Sequence, residues 1–189
     1  MKKLEECSCT NEYLTKHFVR GLAKVYRYRY SEEFEAANSI LFRLKHKNRA
    51  DALDFAAEEI SKAIKRSIPY LDTETVVTHI PNRKKAIRKY GFDHAELLAR
   101  SIAEKLGMEF MPMLISLSRK PQKETSGEER FTNANFKLIY EEELRGKNVL
   151  IIDDVVTTGA SMGNAATLIR GLRPKGIYGA CFGIAYRED

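Results

Sequence analysis

The stretch Val149-Leu150-Ile151-Ile152-Asp153-Asp154-Val155-Val156-Thr157-Thr158-Gly159-Ala160-Ser161-Met162 decides the fold of this chain. Val149 to Ile152 form a short, continuous and partly β-branched apolar run, which predicts a strand covered on both faces of a parallel sheet. Asp153 and Asp154 then fall at its carboxyl end, the side on which open α/β sheets bind ligands. Thr157, Thr158 and Ser161 supply hydroxyls, and Gly159 lets the backbone turn close to a ligand. The helix expected next offers free N–H groups and a positive dipole end to an anion. Ionised carboxylates only accept hydrogen bonds, so an adjacent pair suits a donor-rich partner such as a ribose diol or a hydrated cation. The hydroxyls and N–H groups suit a phosphate. Alone, an acidic pair is as readily a helix cap, and Thr-Thr-Gly a turn. The ordered string is what points to a sugar phosphate. Neither G-x-x-x-x-G-K-[ST] nor G-x-G-x-x-G occurs, which excludes those two nucleotide loops.

Working outward, the N-terminal 24 residues are mixed in character and predict a loosely held helix or extension. Val25 to Tyr30 alternates as a strand does, with Tyr26, Tyr28 and Tyr30 on one side, a face suited to packing or to stacking on bases. Helices are expected from Ser31 to Lys47 and from Asp51 to Arg66, with Arg43, Lys45, His46, Lys47 and Arg49 as a solvated cluster between them or an anion-facing rim. A strand from Thr75 to Ile80 ends at Pro81. The basic loop Asn82, Arg83, Lys84, Lys85, Arg88 and Lys89 follows where a pyrophosphate would be held. Asp93 and Glu96 predict a capping box for a helix running to Leu106 and stopped by Gly107. Further strands are expected at Phe110–Leu117, Phe136–Tyr140 and Ile177–Ala185, and a helix from Ser161 to Leu172. Ser118 to Asn135 is long, charged and nearly free of apolar residues, as functional or disordered loops are. The alternation of elements predicts an α/β domain with a mostly parallel sheet.

At 189 residues the chain is long enough for one domain, or one with a small N-terminal appendage. No apolar run approaches the ~20 residues of a membrane span, and no signal peptide is expected at the charged N-terminus. With three cysteines a disulfide framework is not expected, which favours a reducing cytoplasm. A net charge of +6 fits nucleic acid, a phosphorylated substrate or an ordinary basic surface alike.

The opening string resembles the 5-phosphoribosyl-1-pyrophosphate (PRPP) motif of type I phosphoribosyltransferases. Other pieces, in order, are similar to the ComF family, a branch of that superfamily linked to competence for DNA uptake. They are the Tyr-rich strand, Leu44-Lys45, Ile80-Pro81, Gly91-Phe92, Ala95 to Ala99, Pro121-Gln122, Arg130, Asn133 and Phe136. Where that family usually has Arg-Gly-Phe-Asn-Gln, this chain has Tyr90-Gly91-Phe92-Asp93-His94. Where the family often has four paired N-terminal cysteines, only Cys7 and Cys9 remain, with His17 as a third candidate ligand. Four ligands make a structural zinc site, so zinc is not expected.

The resemblance implies a type I phosphoribosyltransferase fold, with a degenerate zinc-ribbon region at 1–24, an N-terminal part over 1–66 and a core over 67–189. It implies that Asp153 and Asp154 hold the ribose 2′- and 3′-hydroxyls, and that Val155, Val156, Thr157, Thr158, Gly159, Ala160 and Ser161 complete the PRPP site. A nucleophile would attack ribose C1 with loss of pyrophosphate, aided by Mg²⁺ carried on PRPP rather than by a direct protein metal site. Arg83 is the first candidate to stabilise the leaving group, with Asn82 and Lys84 beside it. The 118–135 loop would close over the site, bringing Lys120, Lys123 and Arg130 to the pyrophosphate. Purine salvage relatives place an Asp where this chain has Thr157, so hypoxanthine or guanine transfer is disfavoured. The acceptor stays open, as does a non-catalytic role in sensing PRPP or a nucleotide or in binding single-stranded DNA with competence proteins. An oligomer is compatible with all of these.

Overall fold

The computed structural model describes residues 11–27, 35–117 and 136–185. In chain order its elements are α1 (Glu12–Lys16), β1 (Val19–Arg27), α2 (Glu35–Lys47), α3 (Ala50–Ser67), β2 (Val76–His79), α4 (Lys84–Tyr90), α5 (His94–Leu106), β3 (Glu109–Phe110), β4 (Leu114–Ser116), β5 (Phe136–Leu138), β6 (Asn148–Val156), α6 (Ala160–Ile169) and β7 (Gly176–Ile184). A 3-10 turn, Arg170–Leu172, extends α6.

Five strands form one sheet in the order β1-β7-β6-β2-β3, and every pairing is parallel. This is the expected α/β architecture, a parallel sheet flanked by helices. β4 and β5 make a separate antiparallel pair. The apolar run of β6 explains its place inside the sheet. Leu150 and Ile152 pack with Ile60, Ile64, Leu98 and Ile102 on the face of α3 and α5. Val149 and Ile151 pack with Leu14, Met162 and Ile169 on the face of α1 and α6. All four are fully buried, and at about 1.5–3 kcal/mol each their burial rivals the net stability of a domain.

Several boundaries differ from the sequence expectations. β6 does not end at Ile152. It runs to Val156 because β7 stays alongside it, pairing Asp153 with Cys181 and Val156 with Ile184. On its other side β2 stops opposite Ile152, just before Pro81, which has no N–H to offer a ladder. The acidic pair therefore lies within the strand, laddered on one side and open on the other. The strand expected from Val25 starts at Val19, and within residues 11–24 Leu14, Val19, Leu22 and Ala23 are buried rather than loosely held. The strand expected over Phe110–Leu117 splits at Pro112 into β3, which joins β2, and β4, which joins β5. The basic stretch after β2 is helical as α4 rather than a loop, closed by Gly91 at φ 81°. Asp93 caps α5 as expected, accepting from the N–H groups of Ala95 and Glu96, while Glu96 pairs with Arg100 on the next turn.

α5 follows β2 on one face of the sheet, and α6 follows β6 on the other. The crevice between the carboxyl ends of β2 and β6 is thus a point where the winding changes sides, where such sheets bind ligands. The Cys7 and Cys9 pair, Tyr28, Tyr30, the Ser31 cap and the 118–135 loop lie outside the described residues.

Candidate functional site

At that crevice lies a cleft of about 540 Å³. Asp153, Val155 and Ser161 line one wall; Asn82, Arg83, Lys84, Lys85 and Arg88 line the other, with Ser116, Leu117 and Phe136 closing a third side. Arg83, Lys84, Lys85, Arg88 and Lys89 are all exposed. Lys84 with Arg88, and Lys85 with Lys89, are like charges one helical turn apart, which weakens an isolated helix. A bound polyanion would relieve that repulsion.

A smaller hollow of about 40 Å³ is formed by Asp153 and residues 155–162. Gly159 holds φ 83°, a left-handed conformation, and starts α6. A Cβ on Gly159 would meet Leu14 Cγ at 2.9 Å, so α1 packs directly behind the turn. Asn11 donates to the Thr158 carbonyl at 3.4 Å, and His17 Nδ1 lies 2.9 Å from Thr167 Oγ1. Residues 11–17, part of the segment expected to be loosely held, form the floor of this turn. Thr157, Thr158 and Ser161 remain exposed above it.

Strand alternation sends the two carboxylates to opposite faces. Asp153 opens onto the cleft, its Oδ1 accepting from the Asp154 N–H at 2.9 Å. Burial pushes the Asp153 carboxyl well above the usual carboxylate range, and the neighbouring Asp154 charge adds to this. Asp154 turns the other way. Its Oδ2 lies 2.7 Å from His94 Nε2 and 2.8 Å from Lys45 Nζ, and its Oδ1 accepts from the Val155 N–H at 2.6 Å. Burial alone would raise Asp154, but the His94 hydrogen bond and the Lys45 ammonium outweigh it and hold the carboxyl well below its ordinary value.

The contacts extend behind the cleft. Asn82 Nδ2 donates to Asp93 Oδ1 at 2.6 Å and lies 3.0 Å from His94 Nδ1. The Asn82 N–H donates to Asp93 Oδ2 at 2.9 Å. Buried His79 sits 3.8 Å from the same carboxylate, and burial keeps its pKa below the ordinary imidazole value.

Asp153, Val155, Ser161, Asn82, Arg83 and Lys84 share one cleft, and Val156, Thr157, Thr158, Gly159 and Ala160 share the adjoining hollow. Asp154 lines neither. Lys120, Lys123 and Arg130 lie outside the described residues. Lys45 belongs to the cluster expected to be solvated, yet reaches back to Asp154; Arg43 and Arg49 instead pair with Asp51. Sequence reasoning missed Lys45 and His94 as partners of the acidic pair. The available signal was a histidine directly after a capping aspartate, on a helix facing the strand's polar end.

Residues 93–186 match the family model of the phosphoribosyl transferase domain. A ribose-phosphate pyrophosphokinase of Thermococcus kodakarensis is 53% identical over 36 residues, a match spanning 19% of this chain and 13% of that protein. Among solved structures, a purine phosphoribosyltransferase from Pyrococcus horikoshii is similar at TM-score 0.43 and 17% identity, over 69% of this chain and 71% of that one. Adenine phosphoribosyltransferase from Saccharomyces cerevisiae aligns at TM-score 0.47 and 16% identity, over 72% and 70%. Among the described residues no helix is long and apolar enough to cross a membrane.

Proposed function

We propose that this chain binds PRPP in the β2–β6 cleft and transfers its phosphoribosyl group to an acceptor. The observation carrying this reading is the arrangement of the cleft: a carboxylate and a hydroxyl-rich turn on one wall, and a run of cations on the other. The hydroxyls and the N–H groups at the start of α6 suit the 5′-phosphate. Asp153 suits a ribose hydroxyl, with Asp154 held behind it. Arg83, Lys84, Lys85 and Arg88 suit the pyrophosphate. As the acceptor nucleophile attacks C1, the bond from C1 to the pyrophosphate oxygen breaks, and the charge gathering on the leaving group faces these cations.

Among the described residues no cluster of three or more His, Cys, Asp or Glu is placed to hold a metal. Mg²⁺ would arrive on the PRPP oxygens, with Asp153 as the oxygen ligand at hand, and would neutralise leaving-group charge when bound. Thr157 is exposed and carries no carboxylate, so it supplies no base for a purine ring, which disfavours hypoxanthine or guanine as acceptor. The ordered pieces from Leu44-Lys45 to the acidic string favour the ComF branch and with it a cytoplasmic role in DNA uptake.

Calorimetric titration with PRPP and Mg²⁺ tests the donor side. Binding is expected, weakened at least about tenfold in Asp153→Asn through loss of a charged acceptor; no binding by the parent protein sinks the proposal. Pyrophosphate release with PRPP and a metabolite pool then tests transfer, and the absence of release with every acceptor would reduce the role to recognition. One observation favours a second reading, as a single-stranded DNA binder: residues 81–92 hold five exposed cations and no acidic residue. Its affinity should fall steeply with salt; absent or salt-independent binding removes it.

A further inference from the structure

We propose that Asp93 is a positioning residue: it clasps together the two ends of the basic excursion over residues 82–93 and so fixes the cations of α4 against the cleft. Capping α5 takes only one carboxylate oxygen. Oδ1 accepts from the N–H groups of Ala95 and Glu96 at 3.0 and 3.3 Å, as a cap does. Two further donors come from Asn82, 11 residues back along the chain: its Nδ2 reaches Oδ1 at 2.6 Å and its main-chain N–H reaches Oδ2 at 2.9 Å. The Asp93 side chain is 9% exposed, so these contacts are shielded from water, and a buried carboxylate without them would be costly.

The excursion between these ends has little else to hold it. β2 makes its last ladder contact at Ile80, whose N–H donates to the Ile152 carbonyl at 2.9 Å, and Pro81 has no N–H to continue it. The Asn82 N–H is the next donor in need of a partner, and Asp93 supplies one. α4 then starts with no side-chain hydrogen bond at its Arg83 cap, and none of its residues is buried. Its like charges repel from turn to turn. Gly91, at φ 81°, turns the chain back towards Asp93. Near that end the Tyr90 ring lies 4.9 Å from the ring of His46 on α2. A compact surface loop of this kind depends on its ends being held close. Arg83, Lys84, Lys85 and Arg88 line the cleft from this excursion, whereas Asp93 does not line it. Asp93 therefore acts through Asn82, by setting where the basic wall begins.

The consequence for ligand binding rests on the PRPP reading; the clasp does not. Amide hydrogen exchange of the ligand-free protein tests the clasp. The Asn82 amide should be protected in the parent protein. Asp93→Ser keeps a hydroxyl that caps a helix about as well as a carboxylate, but is too short to serve Asn82 as well. In this variant exchange over residues 82–90 should rise at least about tenfold, while the interior of α5 stays within about threefold. An unprotected Asn82 amide in the parent, or an equal rise in both segments, would make Asp93 a helix cap alone and overturn the proposal.

Magnesium pyrophosphate is the probe for the wall. Asp93→Ser should bind it about tenfold more weakly than the parent. Asn82→Ala should weaken it too, and adding Asn82→Ala to Asp93→Ser should cost nothing more, because the same contact is already gone. Losses that multiply would mean that the two residues act separately and would overturn the proposal, as would parental affinity in Asp93→Ser. A parent that shows the exchange pattern but binds no magnesium pyrophosphate would sink the pyrophosphate reading of this wall alone and leave the clasp standing.

Discussion

Towards α6, the end of β6 presents Asp153 to an open cleft; towards α2 and α5 it presents Asp154 to a lysine and a histidine that use up its acceptors. The two carboxylates are adjacent on one strand and have the same chemistry, but their surroundings drive their protonation in opposite directions. The difference teaches that an acidic pair in sequence need not act as a pair. Asp153 faces the cleft with a backbone N–H on its Oδ1, while Asp154 ties α2 and α5 to the sheet.

The largest effect should come from breaking the closed side. Asp154→Ala would strand a half-buried ammonium and an imidazole donor, and should cost about 2–4 kcal/mol, below the full penalty of a fully buried pair because Lys45 can reach water. Denaturant unfolding checks it; a loss under about 1 kcal/mol would mean the contacts are not formed in solution. Next comes the floor of the open side. Gly159→Ala combines an unfavourable φ with a clash against Leu14, and should cost about 1–3 kcal/mol while lowering PRPP affinity. Unchanged stability would show that α1 does not press on the turn.

The smallest effect, and the sharpest contrast, is expected from Asp153→Asn, which should stabilise the protein by about 1 kcal/mol at neutral pH while weakening PRPP binding. The pH dependences should oppose each other. The raised folded pKa of Asp153 makes its ionised form a burden that grows as pH rises above about 4, so the gain in Asp153→Asn should vanish towards acid. The depressed folded pKa of Asp154 gives stability that is present above about pH 4 and lost below it, so the deficit in Asp154→Asn should shrink in acid. Parallel pH slopes for the two variants would erase the distinction between the two sides.

Much of this was legible in the residues. Four apolar positions before Asp153 specified a buried parallel strand, because only a two-sided cover accepts such a run. Asp93 and Gly107 marked the ends of α5 through cap chemistry that acts locally. Less was legible where partners come from afar. β6 continues through two charged residues because β7 supplies a ladder, and no local pattern records that. α4 is one short helix of mostly like charges, with neither the length nor the apolar stripe that betrays a helix. Lys45 looked solvated because its partner is more than a hundred residues further along the chain. The site was legible in the same measure: the turn after β6 and the cations after β2 are contiguous in sequence, whereas the Asp154, His94 and Asn82 contacts exist only once three separate elements meet.

β1 is an early strand whose neighbour is β7, with Val19 lying opposite Ile177. Its ladder therefore cannot form as the chain emerges during synthesis. At ~5–20 residues per second the ribosome leaves β1 unpartnered for on the order of ten seconds, its apolar side chains waiting on the last strand. Closing so long a loop before any contact rewards it is slow. The sheet edge thus becomes a timing problem, and β1 is the segment whose exposure a chaperone would most usefully shorten.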